Sequence, residues 1–309
     1  MGPVLASIPS PHSNVLHLGP LTIHMYGLML LLAIFACVWL TAVRWRRLGG
    51  DFDLVVRVTV WGVAFGIVGA RAYHDITSWH EVPSPKWEGI FEIWKGGLGV
   101  WGGILLGTLA GVVVIRRSGN SARLFMDAAA PGLLLAQGIG RIGNWWNQEL
   151  YGKVTTLPWG LEIDPSHYVN PAQVEFVHGH RVLFQPTFLY ELIWDFVGVL
   201  LLLWLGRRFR IRPPALFALY VSYYTFGRFF EELLRIDPSQ HFLGLRLNAW
   251  VSIVVFVCST GFFIWWQVLG HGWESPPPPR PTGPRKVKPR AIPEGPKMAI
   301  PRGRVRYRS

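Results

Sequence analysis

Residues 21–43 read LTIHMYGLMLLLAIFACVWLTAV, a run with no formal charge and one histidine. A helix that crosses the ~30 Å hydrocarbon core of a bilayer needs about 20 such residues. Segments 96–115 and 248–268 are equally free of charge. Segment 54–74 carries Arg57 and Arg71 only near its ends, and 187–206 is interrupted only by Glu191 and Asp195. Segment 214–235 is apolar up to Gly227 and charged beyond it. Segment 124–140 is short and holds Asp127 and Pro131, which makes it the weakest span. The expected fold is an all-α polytopic membrane protein with seven transmembrane helices; the ambiguous segments leave six or eight open.

Composition agrees. Of 309 residues, 50% are hydrophobic and only 16% charged, which excludes a disordered chain and argues against an ordinary soluble enzyme. Two cysteines exclude a disulfide scaffold or a four-thiolate zinc site. Cys37 and Cys258 both fall inside spans, where they read as packing residues. Ala36-Cys37 imitates a lipoprotein cleavage site. However, no basic region precedes it and the apolar run continues to Val43, so cleavage is not expected.

The net charge of +12 is concentrated at one end, because residues 271–309 hold ten Lys/Arg and two Glu. The connections 44–57, 116–123 and 207–212, with that tail, carry 21 of the 30 Lys/Arg. By the positive-inside rule the N-terminus lies outside and the C-terminus in the cytoplasm, as an odd number of spans requires. Residues 1–20 form an external segment and 21–268 the membrane domain. Within it, 145–184 reads as a small irregular or β-rich external head, from its Pro, Gly and β-branched content. The tail, 269–309, is Pro-rich and basic and is expected to be disordered, touching anionic lipid rather than nucleic acid.

With the topology fixed, the unusual polar residues share one depth. Tyr26, Arg71, the glycines from Gly96 to Gly103, Arg141 to Asn147, Glu191 and the run Arg228–Arg235 all fall at external helix ends. Charges there are costly and mark function. Counted from these residues, a net positive cavity at lipid-headgroup level is expected, suited to an anionic phospholipid whose phosphate a guanidinium clamps in bidentate fashion. Singly, each residue has a plainer reading: a snorkelling arginine, an Arg228–Glu232 pair one turn apart, glycines for close packing, asparagines as caps.

Gly140-Arg-Ile-Gly-Asn-Trp-Trp-Asn-Gln-Glu-Leu-Tyr-Gly152 resembles the GR.GN..N.E.YG signature of the bacterial prolipoprotein diacylglyceryl transferase family. Met25–Leu28, Gly69-Ala70-Arg71, Gly96-Gly97-Leu98, Gln185–Glu191 and Gly227–Arg235 resemble further motifs of that family, in order, over most of 20–268. The resemblance implies transfer of the diacylglyceryl group of phosphatidylglycerol to the lipobox cysteine thiol of a prolipoprotein, in the bacterial cytoplasmic membrane, without metal, nucleotide or other cofactor. It implies that Arg141 and Arg228 stabilise the leaving phosphate, while Arg71 and Arg235 position headgroup or peptide. Asn144, Asn147 and Tyr26 would bond lipid oxygens, Glu149 and Glu232 would orient arginines, and Gly152 would let backbone approach the lipid. Two positions depart from the pattern. Trp101 stands where many relatives carry a histidine proposed to activate the thiol, leaving Glu232, His74, Tyr26 or no dedicated base; Gln185 replaces a second histidine. A transporter is the competing class, although no internal repeat is evident and the polar residues avoid the midplane. A lipid-binding scaffold without transfer is a third.

Overall fold

The computed structural model describes residues 7–169, 182–270 and 277–280. Seven long helices dominate: α1 Met25–Arg47, α2 Phe52–Thr77, α4 Val100–Arg117, α5 Ala122–Asn147, α6 Thr187–Arg208, α7 Ala215–Leu234 and α8 Leu247–Phe263, which continues as a π-helical turn to Leu269. A single helical turn, α3 Lys86–Gly89, lies in the α2–α4 connection. Five of the seven long helices (α1, α2, α4, α6 and α8 with its extension) are long and apolar enough to cross a membrane. Their surface is inverted relative to a soluble protein: Leu200 is 68% exposed, Trp39 65% and Phe35 62%, whereas Asp195 and Glu232 are buried.

Successive long helices run antiparallel. Leu40, Leu134, Leu202, Leu216 and Tyr220 join α1, α5, α6 and α7 in one cluster; Trp45, Leu54, Ile115 and Phe125 join α1, α2, α4 and α5 at the basic end. Polar side chains replace missing backbone partners there. Asp127, the oddity of the weakest span, accepts the Phe217 amide hydrogen at 2.8 Å and so caps the N-terminus of α7. Arg44 donates to the carbonyls of Asp127 and Ala128, and Arg212 to those of Gln267 and Gly270. Arg280 donates its amide to Asn120 Oδ1 at 2.8 Å, seating the start of the tail against the α4–α5 turn. The disorder expected of the tail falls on 271–276 and 281–309, outside the described residues.

Glycines set the α2–α4 contact. A Cβ on Gly69 would stand 2.3 Å from the Gly102 carbonyl oxygen, and one on Gly102 2.1 Å from that of Gly69. The sequence motifs at Gly69 and Gly102 are therefore helix-packing positions. Gly69→Val is expected to destabilise by ~1–3 kcal/mol or more, seen as a lower melting temperature in detergent. Gly261→Ala, at a position with nothing within 4 Å, should leave it unchanged.

Small sheets cap the end away from the basic turns. Strands β1 Val15–Leu18 and β2 Leu21–His24 form a hairpin leading into α1. Strands β3 Val154–Thr155, β4 Leu161–Glu162 and β5 Leu183–Phe184 form a sheet of order β3-β5-β4 over Tyr151, Leu161, Ile163 and Phe184. Ile8 bridges to Leu161, so the N-terminal segment joins this head. Residues 170–181 of the head lie outside the described residues. The hairpin of β6 His241–Phe242 and β7 Leu245–Arg246 precedes α8. Its two-residue turn, Leu243-Gly244, has positive φ at both positions (47° and 79°), the backbone of a tight hairpin whose twist matches its strands.

Candidate active site

The end of α5, the start of α6, the end of α7 and the start of α8 meet in one ionic network. Arg228, Glu231, Glu232 and Arg235 recur at three- and four-residue spacing, which places them on one face of α7. Arg141 of α5 pairs with Glu191 of α6 at 2.5 Å and approaches Glu231 at 3.9 Å. Arg228 reaches Glu232 at 2.5 Å and Glu191 at 3.5 Å, and also pairs with Glu231. The carboxylates lie deepest: the side chains of Glu191, Glu231 and Glu232 are 4%, 6% and 0% exposed, against 15% for Arg141 and Arg228. The acids thus form a floor and the two guanidiniums stand above it.

Glu232 is the hub. Besides Arg228 it pairs with Arg246 at 2.7 Å and Arg235 at 3.6 Å, and accepts a hydrogen bond from Asn248 at 3.4 Å. Arg235 forks onto Asp237 at 2.7 and 2.9 Å, and Arg246 reaches the same carboxylate at 2.9 Å. Burial alone would push the Asp237 carboxyl up. The hydrogen bond and charge of Arg235, followed by those of Arg246, outweigh it and hold the acid below its ordinary value. Such an acid stabilises the fold above its unfolded pKa of about 3.9, and that contribution is lost as pH falls through the lower folded value. Asp237→Asn should therefore melt lower than the parent at neutral pH, with the gap closing below about pH 4. A pH-independent gap would show that the carboxylate's charge is irrelevant.

A second group of side chains borders the network. Asn144 and Asn147 both donate to Glu149 Oε1, at 2.7 and 3.5 Å, across the end of α5. The chain leaves α5 through Gln148 in the left-handed conformation (φ 51°), and the Gln148 side chain ties the Pro11 carbonyl to the Asp164 amide. The Tyr26 ring rests against Gly143, where a Cβ would come within 2.8 Å of it, and Tyr26 remains 41% exposed. Gln185, Tyr190 and Trp159 are hydrogen-bonded in series and fasten the head to α6.

Three expectations change. In formal charge the cluster is balanced rather than net positive: Arg141, Arg228, Arg235 and Arg246 face Glu191, Glu231, Glu232 and Asp237. The sequence tally missed this balance because it counted Arg71, which pairs with Asp75 instead, and left out Asp237. Arg71 stands apart, since its guanidinium donates to the carbonyls of Gly89, Ile90, Gly96 and Gly97 and pairs with Asp75 at 3.1 Å. It clamps the α2–α4 connection, and among the described residues it shares no ion pair with the Glu232 network. At Gly152 the close approach is to protein: a Cβ there would meet Gln185 at 2.7 Å and the Leu234 carbonyl at 3.1 Å. Of the bases considered, Glu232 is enclosed by three guanidiniums, and His74 lies 3.9 Å from Glu81 and against Gly97, beside Arg71. Trp101, 47% exposed in the first turn of α4, offers no base. Arg246 was missed outright; its only sequence signal was one arginine at the mouth of an uncharged span.

Comparison with known proteins supplies the context. A family model described as prolipoprotein diacylglyceryl transferase matches residues 13–265. The phosphatidylglycerol–prolipoprotein diacylglyceryl transferase of Bifidobacterium adolescentis is 46% identical over 278 residues, covering 87% of this chain and 83% of the relative. Phosphatidylglycerol–prolipoprotein diacylglyceryl transferase 2 of Streptomyces coelicolor is 47% identical over 255 residues, covering 82% of this chain and 78% of the relative. The enzyme of the same name from Paenarthrobacter aurescens is 45% identical over 271 residues, covering 83% and 82%.

Proposed function

The chain belongs to the prolipoprotein diacylglyceryl transferase family, and from that premise we propose how its residues perform the transfer. It transfers the diacylglyceryl group of phosphatidylglycerol to prolipoproteins. The thiolate of a lipobox cysteine attacks the glycerol carbon that bears the phosphate. A C–S bond forms, the C–O bond breaks, and its electron pair leaves on the phosphate oxygen as glycerol-1-phosphate; the thiol proton is lost to solvent or a nearby acceptor. The phosphodiester carries one negative charge and the departing monoester gains up to one more. Arg141 and Arg228 meet that charge.

The observation that carries this reading is the layering of the network, with two guanidiniums above a floor of buried carboxylates. The acids hold both guanidiniums in fixed positions before lipid arrives, as electrostatic preorganisation requires. On the Arg141 and Arg228 side chains, among the described residues, Nε–H makes no hydrogen bond and stays available to phosphate. Asn144, Asn147 and Glu149 line the approach with Tyr26, a residue 41% exposed and the one of the three considered as bases that neither packs beneath the network nor sits beside Arg71. Glu232, Arg235 and Arg246 act as positioning residues. Arg71 and Gly152 serve the substrate indirectly, by shaping the α2–α4 connection and the seat of the head.

All seven long helices cross the bilayer in this reading, α5 and α7 with their charged ends inside the protein. The arginine network, the β-hairpins and the head lie on the outer face, together with the N-terminus. The basic turns and the tail lie in the cytoplasm, and the seating of Arg280 against Asn120 beside the 116–123 connection supports that placement. The test is purified protein with phosphatidylglycerol and a lipobox peptide, followed by mass spectrometry. Diacylglyceryl-peptide and glycerol-1-phosphate should appear in equal amounts and only with a peptide thiol. Lipid binding without product would leave a scaffold, and transbilayer lipid movement without product a transporter.

A further inference from the structure

At the end of the bundle opposite the arginine network, the outward faces of α2 and α4 enclose a trough of about 650 Å³. Helix α2 lines it with Arg57, Trp61 and Phe65, four residues apart and therefore on one stripe. Helix α4 contributes Leu106, Val113 and Arg117. Both arginines stand at the same end, beside the α4–α5 turn, and the apolar side chains run away from them toward the middle of the helices. Among the described residues neither guanidinium has an ionic or hydrogen-bonding partner. Trp61 and Phe65 form a tilted ring pair, centroids 5.9 Å apart, along one wall.

The dimensions identify the occupant. At about 1.5 Å per residue, Arg57 to Phe65 covers ~12 Å and Leu106 to Arg117 ~16 Å along the helix axes. One leaflet of the hydrocarbon core is ~15 Å deep. The trough is one leaflet long, apolar along its floor, and closed at headgroup level by two uncommitted guanidiniums. The geometry points to a second lipid site, in which Arg57 and Arg117 hold the phosphate of an anionic glycerophospholipid from the leaflet opposite the arginine network, with one acyl chain lying in the trough. The inference rests on α2 and α4 crossing the membrane, which their length and composition support, and does not depend on the transferase reading.

The test places the full chain in phosphatidylcholine nanodiscs doped with a phosphatidylserine that carries a photoreactive acyl chain, and maps the labelled peptides. Labelling of 61–65 and 106–113 should exceed that of the lipid-exposed Val254–Val257 stretch of α8. In the Arg57→Gln/Arg117→Gln variant it should fall about tenfold, the loss expected when hydrogen bonds to a charged group are removed. Photoreactive phosphatidylcholine should show no enrichment in the native chain, a comparison that needs no variant to fold. Retained peptide lipidation in the variant confirms an intact bundle. Equal labelling by both lipids, labelling no stronger than on α8, or labelling unchanged by the double substitution would overturn the site and leave two ordinary interfacial anchors on a bare helix face. Failure of peptide lipidation in the native chain would count against the transferase reading and not against this site.

Discussion

Arg141→Ala and Arg228→Ala are each expected to lower turnover at saturating lipid about 10²–10³-fold, the cost of losing a preorganised donor at a developing oxyanion. The magnitude follows from where the charge grows. The bound phosphodiester already attracts both guanidiniums, so part of their effect is ground-state binding. Only the additional charge on the departing phosphate makes their contact stronger in the transition state than in the substrate complex, and only that part raises turnover. Arg141→Lys and Arg228→Lys should recover a fraction, because the charge returns without the planar fork. Arg207→Ala, in the last turn of α6 at the basic end, should be nearly silent.

Glu232→Ala carries the second large effect, on stability. This fully buried carboxylate contacts Arg228, Arg235 and Arg246. Its removal leaves three guanidiniums around a void, and breaking a buried ion pair from one side costs about 3–5 kcal/mol. The expected result is a large drop in melting temperature together with loss of activity. Adding Arg246→Ala to Glu232→Ala should restore part of the stability, since it removes one of the stranded charges. Additive destabilisation in the double variant would show that the two side chains do not interact energetically. Glu232→Gln keeps the shape and part of the hydrogen bonding but not the charge, and should fall between parent and Ala.

Much of this architecture was legible in sequence because bilayer thickness imposes a length on apolar runs, and that length can be read without partners. Uncharged stretches such as 21–43 became helices with their ends moved by about one turn: α1 spans Met25–Arg47, and Leu21–His24 pair as β2. Segment 124–140 looked weak because Asp127 and Pro131 interrupt it, yet the helix extends from Ala122 to Asn147. The acceptor at Asp127 serves an amide 90 positions later, a relation no local pattern records. The shared depth of the polar residues was equally readable, since it depends only on counting along each span. The pairing was not. Whether Arg71 faces lipid or four backbone carbonyls depends on how the 89–97 connection folds back, which is set by tertiary contacts. The neutrality of the network, the role of Arg246 and the approach of Gly152 to Leu234 are likewise properties of the packed bundle.

In the proposed mechanism Arg141 and Arg228 act on the departing phosphate rather than only docking the lipid. The most direct measurement is the separation of kcat from KM for phosphatidylglycerol in Arg141→Ala and Arg228→Ala, in preparations matched for membrane insertion and melting temperature. kcat should fall by about two to three orders of magnitude while KM for the lipid changes far less. A raised KM with kcat intact would contradict it, and would make the two arginines docking groups for a phosphate whose departure something else assists.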